Sequence, residues 1–258
     1  MSNRCIWCSG IAKGGHIEHI IPQALGCPTN FVLTGTTVCL KCNNGLAHLD
    51  RAVSDEFDFL TFIAGVPRKS RKPPVISSRG NVHGTCKSSN PMITFNMERY
   101  AVVAHDGSRV AAYGGSARNV NAQFNKLDEK KAKVSFSITL GNNPKFVRGL
   151  TKIAFSTAAY FLGAESIRGE AFEPVRQFVL RGIGNRHAML TESADPTFRN
   201  QAWPPYCESN GGLAVTFRLA QTEFLIDLTP NESLLPIFEA KQMDINGTSG
   251  WCVLPPRN

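Results

Sequence analysis

Apolar residues recur at three- and four-residue intervals in two stretches of the chain, and each stretch predicts a helix. Leu46, Leu49, Val53, Phe57 and Leu60 make one stripe, starting just after Cys42 and stopping at Gly65 and Pro67. Phe146, Val147, Leu150, Ile153, Ala154, Ala158, Phe161 and Leu162 make the longer one, over 145–162, with Gly163 placed to cap it. A further helix is predicted over 172–180. Short β-prone runs fall at 92–95, 100–104, 109–113, 134–140, 187–191, 213–219 and 224–228. Asp106-Gly107 and Gln221-Thr222 mark tight turns between neighbouring runs. Near the N-terminus, Ile17, His19 and Ile21 alternate with His16, Glu18 and Ile20. A strand there sets Glu18 and His19 on opposite faces, and Pro22 ends its pairing. The fold class expected is α+β.

Composition narrows the class. With 42% apolar and 19% charged residues the chain has the makeup of a globular protein. No apolar run reaches the ~18–20 residues that span a bilayer, and residues 1–15 lack an apolar signal-peptide core. The expected location is the cytoplasm, without a membrane partner, where thiols stay reduced and eight cysteines need a use other than disulfides.

Five of those eight lie within the first 42 residues, and four form two pairs of equal spacing: Cys5-Ile-Trp-Cys8 and Cys39-Leu-Lys-Cys42. Each Cys-x-x-Cys turn aims two sulfurs at one point, so two such turns can complete a tetrahedron around Zn²⁺. A redox use of one pair is the weaker reading, because neither sits in a strand–turn–helix pattern. Cys27, Cys86, Cys207 and Cys252 stand alone and read as small buried apolar residues.

Between and just beyond the pairs lie Glu18-His19-Ile20-Ile21-Pro22 and Asn43-Asn44-Gly45-Leu46. The order of knuckle, strand with Glu-His, second knuckle, Asn and helix resembles the HNH endonucleases, the ββα-metal or His-Me finger nucleases. The likeness is to their subgroup with two zinc-binding Cys-x-x-Cys pairs, and it covers about residues 3–64. It implies an N-terminal ββα-metal module with a structural zinc, and a metal-dependent endonuclease that hydrolyses DNA phosphodiester bonds in restriction, defence or phage DNA processing. It further implies His19 as general base, Glu18 and Asn43 as ligands of a catalytic Mg²⁺ or Mn²⁺, and Asn30 as the asparagine that braces the loop between the strands. His48, one turn into the helix and on one face with Asn44, is either a further ligand or a surface residue; His16 is open in the same way. Asp50 and Arg51 are expected to make helix-surface or capping contacts. The alternative of another class is a non-catalytic zinc-stabilised module that binds nucleic acid or protein.

The formal charge of +8 is concentrated where the first stripe ends. Residues 67–80 carry Arg68, Lys69, Arg71, Lys72 and Arg79 with three prolines and no acid, an extended linker that serves as a solvated hinge or as a phosphate contact. The expected division is therefore a nuclease module at 1–66, a basic linker at 67–80 and an α+β domain at 81–258 for DNA binding or target recognition. Lys145, Arg148 and Lys152 share the polar side of the longer helix, where a solvated face is the default and a DNA contact through Arg148 and Lys152 the functional reading. Tyr100, Tyr113, Trp203, Tyr206 and Trp251 are candidates to stack on a base, though such residues are more often core. The partner expected is DNA, double-stranded, and a homodimer is compatible with the pattern.

Overall fold

A computed structural model describes residues 3–64, 66, 76–79, 82–87, 90–97, 100–101, 120–126, 132–195, 197–208, 212–246 and 250–255. The chain is mixed α and β, as its patterning predicts. Strands β1 (Ile17–His19) and β2 (Val32–Thr34) pair antiparallel, with Ile17 opposite Thr34 and His19 opposite Val32. Helix α1 (Leu40–Glu56) follows, and α2 (Asp58–Ile63) comes after a break at Phe57. The first apolar stripe is thus shared by two helices. Asp58 in the first turn of α2 suits a new helix start, where unpaired backbone N–H groups favour an anion.

The described strands that come next are β3 (Ile76–Arg79), β4 (Val82–Lys87), β5 (Asn90–Met97) and β6 (Tyr100–Ala101), paired in that order. A separate hairpin joins β7 (Val120–Lys126) to β8 (Ala132–Ile138). Strands are present where 92–95 and 134–140 were expected, while 109–113 and the Asp106-Gly107 turn lie outside the described residues.

Helix α3 (Phe146–Leu162) and helix α4 (Glu173–Arg181) then lead into strands β9 (Ala188–Glu192), β10 (Gln201–Ala202), β11 (Tyr206–Cys207), β12 (Leu213–Leu219) and β13 (Thr222–Asp227). Helix α5 (Leu235–Asn246) and strand β14 (Cys252–Leu254) close the chain. The strands form a sheet of order β10-β12-β13-β9-β14, with β11 also on β12. Both faces of β12 and most of β13 are buried, so their sequences read as apolar runs instead of alternating. Phe217 and Phe224 stack across the pair at 5.5 Å, and Phe146 of α3 meets Phe224 edge-on at 6.1 Å.

Residues form two compact units, one of 1–55 with 143–258 and the other of 56–142. This division differs from the expected one, which cut the chain at a linker over 67–80. The physical reason is core size. A segment of some 55 residues encloses little apolar volume by itself, and here α3 supplies the missing wall: it lies against β2 as well as against β9, β12 and β13. Trp7, beside the first cysteine pair, packs on Phe155 of α3 at 4.9 Å, and Phe31 packs on Tyr160 at 4.9 Å. The loop after β1 is tied down in the same way. Asn200 donates to the carbonyls of Leu25 (2.5 Å) and Gly26 (3.0 Å) and accepts from the backbone N–H of Ala220 at 2.9 Å.

Enclosure on nearly every side explains a correction to the reading of α3. Thirteen of its seventeen residues are buried, including Thr151, Lys152, Ser156 and Thr157. Of the polar side expected to be solvated or to touch DNA, Lys152 is therefore interior, Arg148 is half-buried and Lys145 stays exposed, while Phe161 and Leu162, expected inside, are partly exposed at the helix end. Arg148 donates to the Val179 carbonyl at 2.8 Å, which fastens α3 to α4.

Candidate functional site

The four paired cysteines converge. Cys5 and Cys8 flank a tight turn in which the Cys5 N–H donates to the Gly10 carbonyl (2.8 Å) and the Ser9 N–H to the Cys5 carbonyl (3.0 Å), with Ser9 in the left-handed region at φ 58°. Cys39 stands just ahead of α1 and Cys42 lies in its first turn. The Cys39 N–H donates to Cys5 Sγ at 3.3 Å, and the Cys42 N–H to Cys39 Sγ at 3.4 Å, the N–H···S contacts that steady a thiolate. All four sulfurs lie within 4.8 Å of one another, and Cys8 and Cys39 are 3.7 Å apart. Tetrahedral Zn²⁺ with bonds of about 2.3 Å sets its sulfurs about 3.8 Å apart. The cluster can hold a zinc ion, and its donor set suits one. Crowding shows in the acidities: the hydrogen bond from Cys42, aided by backbone donors, brings the Cys5 thiol down to about 4, and the same contact pushes Cys42 up.

Among the described residues this is the one group of three or more His, Cys, Asp or Glu whose ligand atoms come together. The unpaired cysteines depart from expectation: Cys207 and Cys252 are exposed and Cys27 is half-buried, its thiol donating to the Phe31 carbonyl at 3.3 Å. Both exposed ones lie on short strands at the margins of the sheet, where small residues need not face inward. The side chain of Cys86 lies outside the described residues.

Beside the cysteines, β1 sets Glu18 and His19 on opposite faces as alternation requires: Glu18 is 2% exposed and His19 half-buried. Asn43, one residue past Cys42, donates from Nδ2 to the Ile17 carbonyl at 3.1 Å, so the start of α1 is pinned to β1. His48 is exposed and its Nδ1 is 2.9 Å from the Gly45 carbonyl; Asn44 is exposed on the same face. His16 is half-buried, with Nε2 at 2.9 Å from the Val38 carbonyl, which brings the β1 entry to the second cysteine pair. Asn30 is exposed at φ 67°, in the turn that leads into β2.

The residue that the sequence did not bring to this place is Lys152. Its ammonium forms a salt bridge with Glu18 and another with Asp50 Oδ1 at 2.6 Å, and the residue is 0% exposed. Three elements meet in that contact: β1 brings Glu18, α1 brings Asp50 and α3 brings Lys152. Asp50 thus bridges to another helix while part of its side chain stays at the surface of α1. Burial holds the Glu18 carboxyl above the ordinary carboxylate range while Lys152 pulls it back, and the same opposition acts on Asp50. Burial works against the Lys152 ammonium, yet the Asp50 and Glu18 carboxylates together hold its pKa above the usual lysine value. The charges of His48 and His19 also act on Asp50, whose side chain keeps 26% of its surface exposed.

This arrangement bears on the catalytic divalent cation that the nuclease resemblance implies. Such a hard ion needs about six oxygen or water ligands. Glu18 is enclosed and already faces an ammonium, so as a ligand it does not fit. Of the expected DNA contacts, Arg68, Lys69, Arg71 and Lys72 lie outside the described residues. Tyr113 lies outside them too, as does the side chain of Tyr100. Trp203 is half-buried, Trp251 packs against the cluster of Met189, Leu225 and Leu235, and Tyr206 is 48% exposed with its ring edge-on to Phe238. Among the described residues no helix is long and apolar enough to cross a membrane. No family model, no curated protein and no solved structure matches the chain.

Proposed function

We propose that this chain is an endonuclease of the HNH kind, a phosphodiester hydrolase acting on double-stranded DNA, with His19 as its general base. One observation carries the reading: two short antiparallel strands and a helix follow one another beside four convergent cysteines, with His19 half-exposed on the first strand and Asn43 at the helix start bonded to that strand's Ile17 carbonyl. An imidazole, with its ordinary pKa of about 6.5, can take a proton from water near neutrality. Asn43, His48 and the half-exposed Asp50 are the donors nearby that reach solvent, and they are the residues to which Mg²⁺ or Mn²⁺ and a phosphate would come. No step is assigned to an ion on Glu18. The DNA partner rests on the net charge of +8 and on the run from Arg68 to Lys72.

The Lys152 contact favours a second reading, a non-catalytic zinc-stabilised module that binds nucleic acid or protein. A plasmid-nicking assay with Mg²⁺ or Mn²⁺ separates the two. The enzyme reading expects metal-dependent nicking that falls by about 10²–10⁴-fold in His19→Ala, the usual worth of a general base. Nicking at the wild-type rate in His19→Ala overturns the base assignment, and DNA retention without any nicking supports the binding module.

A further inference from the structure

We propose that Lys152 is the resident cation of the Glu18 site: its ammonium fills the place between the Glu18 and Asp50 carboxylates that a divalent ion would otherwise occupy.

The case rests on geometry and enclosure. Two carboxylates from separate elements, β1 and α1, converge on one point, an arrangement that repels itself unless a cation stands there. Lys152 provides that cation from α3, at 2.6 Å from Asp50 Oδ1 and in contact with Glu18, with none of its surface exposed. Its ammonium has three donors, and two of them are used on carboxylates. Glu18 and Lys152 are sealed from solvent, whereas the Asp50 side chain keeps 26% of its surface exposed. An ion arriving from solvent would have to expel a tethered, like-charged group and shed its own water to reach Glu18. The tether decides that competition, because Lys152 is held at the site by the packing of α3 and carries no entropy of association.

Two consequences follow for the residues nearby. Glu18 acts through position: its salt bridge fixes β1, and with it His19, against α1 and α3. Lys152 is likewise a positioning residue, since it reaches no solvent and so no substrate. Any divalent ion used in catalysis would then rest on Asn43, His48 or Asp50, the nearby ligand groups that keep some exposure.

Lys152→Met tests this directly, because it empties the cation position and leaves two carboxylates facing each other. The full, zinc-loaded chain is melted with and without millimolar Mn²⁺ in four forms: wild type, Glu18→Gln, Lys152→Met and Lys152→Met with Glu18→Gln. The expected result is that Mn²⁺ raises the melting temperature of Lys152→Met by several degrees and leaves the double variant as it was. If Lys152→Met folds only when Mn²⁺ is present, that is the same result in stronger form. Mn²⁺ binding to the wild type, followed by its paramagnetic spectrum, should not depend on Glu18. A Glu18→Gln loss of about tenfold or more in wild-type Mn²⁺ affinity would mark Glu18 as a ligand and overturn the proposal. Failure of Mn²⁺ to rescue Lys152→Met would overturn it as well. The inference concerns the same site as the nuclease reading, but no arm of this test measures cleavage, so either can fail without the other.

Discussion

Gly149 of α3 lies against Val53 of α1 with no room for a side chain: a Cβ there would stand 2.4 Å from Val53 Cγ2 and 2.9 Å from the Leu49 carbonyl oxygen. Helix propensity alone would make alanine better than glycine here by about 1 kcal/mol. Packing opposes it and wins, because one of the two obstacles is backbone and cannot rotate away. Gly149→Ala is expected to push the helices apart and destabilise the protein by about 1–3 kcal/mol. Lys152 sits less than one turn further along α3, so the shift should also loosen its bridges to Glu18 and Asp50. A denaturant midpoint above that of the wild type would show that the two helices have slack at this crossing.

Zinc removal should reach well beyond the cysteines. The turn that carries Cys5 and Cys8 also carries Trp7, which packs on Phe155, and Arg168 donates back to the Arg4 carbonyl. Chelation, or Cys39→Ser, is therefore expected to lower amide-exchange protection in α3 together with residues 3–55. Loss of a structural zinc ligand commonly removes several kcal/mol, enough to melt a unit whose core is shared. Exchange that rises in residues 3–55 while α3 keeps its wild-type protection would show that the two segments fold separately.

What could be read in advance was local, and what could not was the work of distant segments. The run 213–219 matches β12 end to end, and α3 differs from its predicted span by one residue, because short-range apolar spacing specifies both. Pair spacing was enough to bring four sulfurs together, and period-two alternation was enough to separate Glu18 from His19. Lys152 was different. Its position on the wheel of α3 is polar, and nothing within that helix tells that β1 and α1 cover the polar side with carboxylates. The joining of residues 1–55 to 143–258 was hidden for the same reason, since the contacts that make it link segments almost ninety residues apart in sequence. Strands such as β10 and β11, two residues each, exist only because β12 offers them an edge, and they leave too short a period to detect.

Asp227 at the end of β13 makes a prediction from hydrogen-bond accounting. Its Oδ1 accepts from the Thr229 N–H (2.8 Å) and hydroxyl (2.6 Å), and Oδ2 accepts from the N–H groups of Leu234 (2.7 Å) and Leu235 (3.1 Å) at the start of α5. Behind it, the buried Arg186 donates to the carbonyls of Asp227, Thr229 and Pro230. Asp227→Ala strands four donors in a buried loop and is expected to cost about 3 kcal/mol. Asp227→Asn should not restore it, because an amide NH₂ would face donors on one side whichever way it is turned. Thermal melting of the two variants checks this, and full recovery by asparagine would mean that water reaches the loop.

Asp195 gives a pH dependence whose sign can be fixed. Hydrogen bonds from the Thr197 hydroxyl (2.7 Å) and N–H (2.9 Å), with Arg218 at 3.1 Å, hold its carboxyl below its ordinary value of 3.8. A carboxylate with a lowered folded pKa stabilises the fold above its unfolded pKa, and that contribution is lost as the pH falls through the folded value. Arg218 is 2% exposed and gives its other terminal nitrogen to the Ser193 hydroxyl at 2.9 Å, so protonating Asp195 leaves a buried guanidinium without its anion. Asp195→Asn preserves the shape and removes the charge. Its melting temperature should lie below that of the wild type at neutral pH, and the gap should narrow as both proteins are taken below about pH 4. Other acids titrate in that range in both proteins, and the difference between the two curves cancels them. A gap that stays constant down to the acid limit would show that the loss in Asp195→Asn does not come from the carboxylate's charge.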